Sequence, residues 1–197
     1  MIGELEIFNM ALLNLSIEPI GSLGGNDKRA IAHRTYYPNA IDNCLKSITP
    51  KFARKIESLN LISGHTIPGF DYVYQYPGDC IKFLGLRDPN DSRSAKWDIR
   101  RIGEISQTVI VTNIEDAVID YISKVHETSL FPTDFRTALE YHLSMDCAVY
   151  LVGGVEGMNL RKFFANEYRL SCIYARNSDF TQSKNVKSQS SPFIEVR

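Results

Sequence analysis

The chain has 197 residues, 44% of them hydrophobic, with 22 basic against 23 acidic side chains and a formal net charge of -1. A chain of this length buries roughly 70% of its unfolded surface without help from disulfides or metal, and so near a balance of charge leaves no overall footprint for a polyanion. No apolar run approaches the roughly 20 residues that span a bilayer. No cleavable leader precedes the first helix, and Cys44, Cys80, Cys147 and Cys172 hold no CxxC pair, so membrane insertion, secretion and a zinc knuckle are not expected. The cysteines read as reduced, mostly buried thiols of a bacterial-type cytosol.

Leu5, Phe8, Leu12 and Leu15 recur at three- and four-residue spacing and predict a first helix ending near Ser16, because Pro19 cannot continue it. Pro19, Gly21 and Leu23 then form a structural corner, with Gly21 turning the chain and Ile17, Ile20 and Leu23 stapling it down. Gly24 to Asp27 supplies a turn and an N-cap for a second helix, carried by Ile31, Tyr37, Ile41, Leu45 and Ile48 to about Ser47, with a kink at Pro38. Thr49-Pro50 stops it, and Phe52 to Leu61 reads as extended or irregular chain.

From Thr66 the period becomes two, with Tyr72, Tyr74 and Tyr76 on one face of a strand as core or interface aromatics. Trp97 to Ile102, Gln107 to Val111 and Ala117 to Val125 are three further strands, separated by turns such as Asp88 to Asp91 and Asn113 to Asp116. After Pro132-Thr133-Asp134 the helical period returns in Phe135, Leu139, Leu143, Cys147 and Leu151, ends at Gly153-Gly154, and resumes from Glu156 to Ala175 in Leu160, Phe164, Tyr168 and Cys172. Beyond Ser178 the composition is that of a flexible tail closing on the apolar residues Pro192, Phe193, Ile194 and Val196, a docking peptide in type.

The expected fold class is α+β: an antiparallel bundle of about four helices (1–58 and 130–178), an inserted small antiparallel β unit (59–129) and a C-terminal tail (179–197).

Chemistry is sparse. His33, His65, His126 and His142 have no metal-ligand spacing, and Gly21 to Gly25 lacks the lysine and hydroxyl of a phosphate loop. Asp88 to Asp91 starts like a calcium loop, but Arg93 and Ile99 stand where glycine and the bidentate acid belong. Glu115, Asp116 and Asp120 are the one acidic group that invites acid-base work on a glycan, although adjacent acids at a turn are usually solvated. Lys51, Arg54 and Lys55 form a modest basic cluster, as do Arg100 and Arg101.

Five strings along the chain stand out: Ala11-Leu12-Leu13-Asn14-Leu15 with Glu18-Pro19-Ile20-Gly21-Ser22-Leu23; Arg34-Thr35-Tyr36-Tyr37-Pro38 with Asp42 and Leu45; Phe52-Ala53-Arg54-Lys55; the most specific, Gly69-Phe70-Asp71-Tyr72-Val73-Tyr74-Gln75-Tyr76-Pro77-Gly78-Asp79-Cys80-Ile81; and Leu130-Phe131-Pro132 with Phe135 and Ala138-Leu139. Together they resemble the tail tubular protein A family of short-tailed phages, the adaptor between portal and tail nozzle. Ser16 replaces the family's usual glycine, and the family's arginine after Pro38 is missing.

The resemblance implies a dodecameric ring beneath the phage portal protein with the nozzle (tail tubular protein B) below, no catalytic residues, no cofactor or metal, and double-stranded DNA passing through the lumen. It implies a place in the virion at the head-tail interface, after assembly in the bacterial host cytoplasm. Near-neutral charge suits a lining that should not grip phosphates. Two other readings stay open at this point: a tail-associated glycan or cell-wall hydrolase using the acids above, and a small DNA-binding helical module built on the first two helices.

Overall fold

The computed structural model describes residues 3–87, 96–103 and 107–181. Helix α1 covers Glu4–Asn14 and buries Ile7, Phe8, Ala11 and Leu12 on one face, as their spacing requires. Helix α2, Lys28–Ile48, starts on Asp27, whose carboxylate accepts the Arg29 and Ala30 N–H groups at 2.6 and 3.1 Å, and it continues through Pro38. Helices α3 (Thr133–Leu151) and α4 (Gly154–Thr181) complete the helical part. Helix α3 packs against each of the other three, and its Phe135, Leu139, Leu143 and Cys147 lie at the centre of the core.

The corner after α1 is built differently from the sequence expectation. The helix ends at Asn14, well before Pro19, by a left-handed turn at Ser16 (φ 58°), with the Ser16 and Ile17 N–H groups donating back to Leu13 and Leu12 at 2.9 and 3.0 Å. Ser16 thus occupies a conformation that glycine adopts without cost. Gly21 has no left-handed φ, so its freedom is not what turns the chain. The corner is pinned instead by Asn9, whose side-chain amide donates to the Ile20 carbonyl at 3.0 Å and accepts the Ile20 N–H at 2.9 Å. Ile20 is buried, while Ile17 and Leu23 pack half-buried beside it.

The β unit consists of two three-stranded antiparallel sheets where the sequence predicts one. Strands β1 (Arg54–Ser58), β6 (Val118–Ser123) and β3 (Cys80–Arg87) lie in the order β1-β6-β3, and β2 (Tyr72–Gln75), β5 (Gln107–Thr112) and β4 (Trp97–Ile102) in the order β2-β5-β4. A core of Tyr74, Ile110, Ile119 and Tyr121 joins the two sheets, and Phe70, Val73, Val109 and Val111 form a separate cluster on the other face of β2 and β5. Strand β1 has no buried residue and β3 carries two register shifts, so neither shows the clean alternation that a sequence reading relies on. The sheets therefore begin at Arg54, inside the segment assigned by sequence to the bundle. Helix α4 likewise runs to Thr181, past the expected end at Ala175. The result is an α+β protein in which the sheets interrupt the helical chain.

The α3–α4 hairpin needs its glycines. Gly153 and Gly154 have φ of +78° and +57°, and a Cβ on Gly157 would lie 2.8 Å from the Ala148 carbonyl oxygen and 3.3 Å from the Val149 Cα. Gly157→Ala is expected to destabilise the protein by about 2 kcal/mol, the cost of forcing two backbones apart. Ser16→Gly is expected to stabilise it by about 1 kcal/mol. At this chain length those changes amount to a fall of roughly 6 °C and a rise of roughly 3 °C in Tm, read by thermal unfolding.

Candidate functional site

The described residues contain no cluster of three or more His, Cys, Asp or Glu side chains able to hold a metal, and none of their helices is long and apolar enough to cross a membrane. Cys44, Cys147 and Cys172 are buried and Cys80 is half-buried, all as free thiols. Burial pushes the Cys147 thiol up to about 12, away from thiolate chemistry.

The acids considered for glycan chemistry separate. Asp120 is 5% exposed on β6 and held by two arginines, with Arg54 Nε donating at 2.7 Å and Arg87 Nη2 at 2.6 Å. The hydrogen bonds from Arg54 lower its pKa against the opposing effect of burial, so it stays an anion fixed in a structural pair. Asp116 sits in the turn before β6 with φ 55° and Glu115 is exposed beside it. Asp120 thus shares no free acid site with them.

The tyrosine stripe is buried at Tyr74 and half-buried at Tyr72 and Tyr76. Tyr74 is 2% exposed; its hydroxyl donates to the Ile114 carbonyl at 3.0 Å and fastens the 113–117 turn. Tyr72 stacks on Tyr74 with ring centroids 6.3 Å apart, and the Tyr76 hydroxyl accepts the Cys80 thiol at 3.1 Å. Gly69, with φ +88°, makes the turn that closes from Phe70 N–H to Ile67 O at 3.0 Å, with Pro68 before it. The most specific string of the chain therefore spans a tight turn, the aromatic edge strand β2 and the turn into β3. Its aromatic residues Phe70, Tyr72, Tyr74 and Tyr76 each pack against one of the two β clusters.

Two of the four histidines, His33 and His142, are also packed. His33, 4% exposed, lies between Phe8 and Tyr37, with Nε2 2.9 Å from Glu4 Oε1. Burial lowers its pKa, and the nearby Arg34 adds to that, while Glu4 works in the opposite direction. His142 Nδ1 is 3.1 Å from Asp146 Oδ2 one turn further along α3.

What the surface does offer is apolar. On the side of α4 opposite its buried Phe164 and Cys172 and half-buried Tyr168, six large residues stand in water: Val155, Met158, Phe163, Leu170, Ile173 and Tyr174, of which Val155 and Tyr174 are about 70% exposed. At 100° per residue they share one broad stripe along a 28-residue helix. Isolated exposed apolar residues are ordinary, but six large ones on one side of a helix, interspersed with polar residues such as Lys162, Asn166 and Arg169, suit an interaction face. The helical period of the buried residues is legible in the sequence. The second, solvent-facing period is hidden there because Phe163 sits next to buried Phe164, and Ile173 and Tyr174 lie between buried Cys172 and Ala175. Pro192, Phe193, Ile194 and Val196, the expected docking residues, lie outside the described residues, as do the Asp88 to Asp91 turn and Arg93.

No protein-family model matches the chain, and no curated protein matches it either.

Two substitutions test this accounting. Asp120→Asn leaves two arginines without their anion; because both are about half exposed, the loss is expected to be about 2 kcal/mol rather than the larger cost of a fully buried pair. The lowered Asp120 pKa contributes stability above the unfolded carboxyl value of 3.8 and loses it as pH falls through the folded value, so the variant should show a weaker acid-denaturation slope below about pH 4. His33 has a depressed folded pKa, so the unfolded chain binds the extra proton first. Stability should fall on acidification from about pH 7 through the ordinary imidazole value of 6.5, and His33→Phe should flatten that part of the profile in denaturant titrations.

Proposed function

We propose that the chain is a structural protein of a short-tailed phage virion, a ring-forming head-to-tail adaptor that joins the portal to the tail nozzle. In this role it extends the DNA channel and supports retention of the packaged DNA and its ejection. The observation that carries the reading is the exposed apolar stripe of α4, which a soluble monomer has no use for and a neighbouring copy in a ring would cover. The resemblance of five strings along the chain supports it, since each string falls on a part that sets shape: the corner after α1, α2, the entry to β1, the β2–β3 core and the start of α3.

In this reading the expected copy number is twelve, no cofactor is bound and no side chain acts as a catalyst. Pro192, Phe193, Ile194 and Val196 are the proposed portal contact, by strand addition or by seating Phe193 and Ile194 in an apolar groove. Double-stranded DNA passes through the assembled ring in transit. The protein would be assembled in the bacterial host cytoplasm and end at the head-tail interface.

The test is assembly on the cognate portal, followed by electron microscopy and light scattering. The wild-type chain is expected to form a closed ring on the portal; a chain that stays monomeric both alone and with the portal sinks the reading. Phe163→Ser combined with Tyr174→Ser should weaken ring formation at least tenfold with little change in monomer Tm, because both side chains are more than half exposed. Truncation after Thr181 should leave the fold intact and reduce portal attachment.

A further inference from the structure

The fold sorts the sequence cluster Lys51, Arg54 and Lys55. Lys55 leaves the group, since its Nζ pairs with Asp79 Oδ2 at 2.5 Å on the Tyr121 face of β1. Lys51 and Arg54 instead join cations from other elements around the C-terminal end of α2. Lys82 of β3 donates its Nζ to the Lys46 carbonyl at 2.9 Å, and Arg176 of α4 donates its Nε to the Ser47 carbonyl at 2.8 Å. Arg87 reaches the same region through the Asp120 carboxylate that it shares with Arg54. Lys46 extends from the last turn of α2, exposed, and its ammonium makes no hydrogen bond or ion pair among the described residues.

Six cations therefore gather at the C-terminal end of α2 and the Asp120 pair beside it, and the carboxylates there are Asp120, 5% exposed, Asp179, which accepts the Lys51 N–H at 3.0 Å, Asp134, which lines a cavity with Ile48 and Pro50, and Asp42, which pairs with Lys124 one turn before Lys46. Lys51, Arg54 and Arg176 rim a groove of about 420 Å³ with Ile48 and Leu84 in its wall. The partial negative charge of a helix C-terminus accounts for the two side chains that donate to its carbonyls, Lys82 and Arg176. Lys51 is accounted for in the same way, since its Nζ donates to the Asp179 carbonyl near the end of α4, which leaves Lys46 and the surplus of Arg54 and Arg87 over Asp120 unexplained. Lys82 and Arg176 also keep their full charge, because a carbonyl does not neutralise a cation.

We propose that this basic collar is the face on which the protein meets the phosphate backbone of double-stranded DNA. The proposal rests on the adaptor reading and supplies what that reading lacks, the residues that touch the contents of the channel. The cations come as separate points from α2, the segment after it, β1, β3 and α4, a pattern suited to a row of phosphates rather than to one carboxylate. A net charge of -1 averages this collar away. Because such contacts weaken steeply with salt, the collar would hold DNA loosely and let it slide.

Fluorescence anisotropy of the full chain with a labelled 30-base-pair duplex tests the proposal. Binding is expected at 50 mM salt and should weaken about 100-fold by 200 mM, the behaviour of about four phosphate contacts. Lys46→Gln combined with Lys51→Gln should lower the salt slope by about two and the 50 mM affinity at least about fivefold. Lys162→Gln combined with Arg169→Gln, on the outer side of α4, should change neither. Far-UV circular dichroism confirms folding, and Lys46→Gln alone, which removes no internal bond, carries the test if the double variant does not fold; it should lower the slope by about one. Absence of binding at 50 mM, equal loss in the α4 variant, or tighter binding of poly-glutamate than of duplex at equal charge overturns the proposal. Portal capture by the wild-type chain is scored separately: capture without duplex binding removes the collar and leaves the adaptor reading, whereas duplex binding without capture does the reverse.

Discussion

Strand β6 is the constraint on which the two halves of this protein depend. It is the central strand of its sheet, and its residues from Ile119 to Ser123 are all buried. Its alternation divides the labour: Ile119 and Tyr121 enter the core between the sheets, whereas Ile122 enters the core of the helical bundle. Asp120 takes the Ile122 face, where Arg54 and Arg87 neutralise it, and Ser123 donates its hydroxyl to the Ala53 carbonyl at 3.0 Å where the chain leaves the bundle. A slip of one residue would drive Asp120 into an apolar layer, so a single register fixes sheet against sheet and sheets against helices.

The bundle is organised in the same economical way around α3. Its buried face meets α1, α2 and α4, and the Ser144 hydroxyl, fully buried, accepts the Asn14 side-chain amide at 3.2 Å and lies 3.2 Å from the Ala11 carbonyl, tying the end of α1 to the centre. Close approach of α3 and α4 depends on the missing side chain of Gly157. With one face of α4 committed to this contact, the opposite face carries the exposed apolar stripe. The tight hairpin and the sticky outer surface are two consequences of the same helix.

At the junction of the two halves, charge is concentrated while the total stays close to zero. The C-terminus of α2, the edge strands β1 and β3 and the last turns of α4 meet there, and each contributes basic side chains. Asp120 and Asp179 offset part of this charge in place, and further acids lie at a distance, on helix starts such as Glu4 and Glu6. Composition alone could not reveal this, because a sum over residues carries no information on where they meet.

The sequence by itself determined the local features. The periods of α1 to α4 follow from apolar residues at three- and four-residue spacing, the start of α2 from the Gly24 to Asp27 turn and N-cap, β2 from tyrosines at every second position and β5 as a strand between turns, because these signals act between residues close together in the chain. It also placed Tyr74 correctly on an inward face. Only the tertiary structure decided the rest. Strands β1 and β3 exist because β6 offers both edges to them, not because of any pattern of their own. The corner after α1 is held by Asn9 reaching Ile20, a bond between residues whose identities predict nothing about each other. Asp120 passes from possible acid to structural anion once Arg54 and Arg87 close on it, and Ser47 and Arg176 become neighbours across more than half the chain. The physical reason is common to all of these: contacts between distant segments are set by which surfaces the core leaves facing each other, and that is a property of the packed whole.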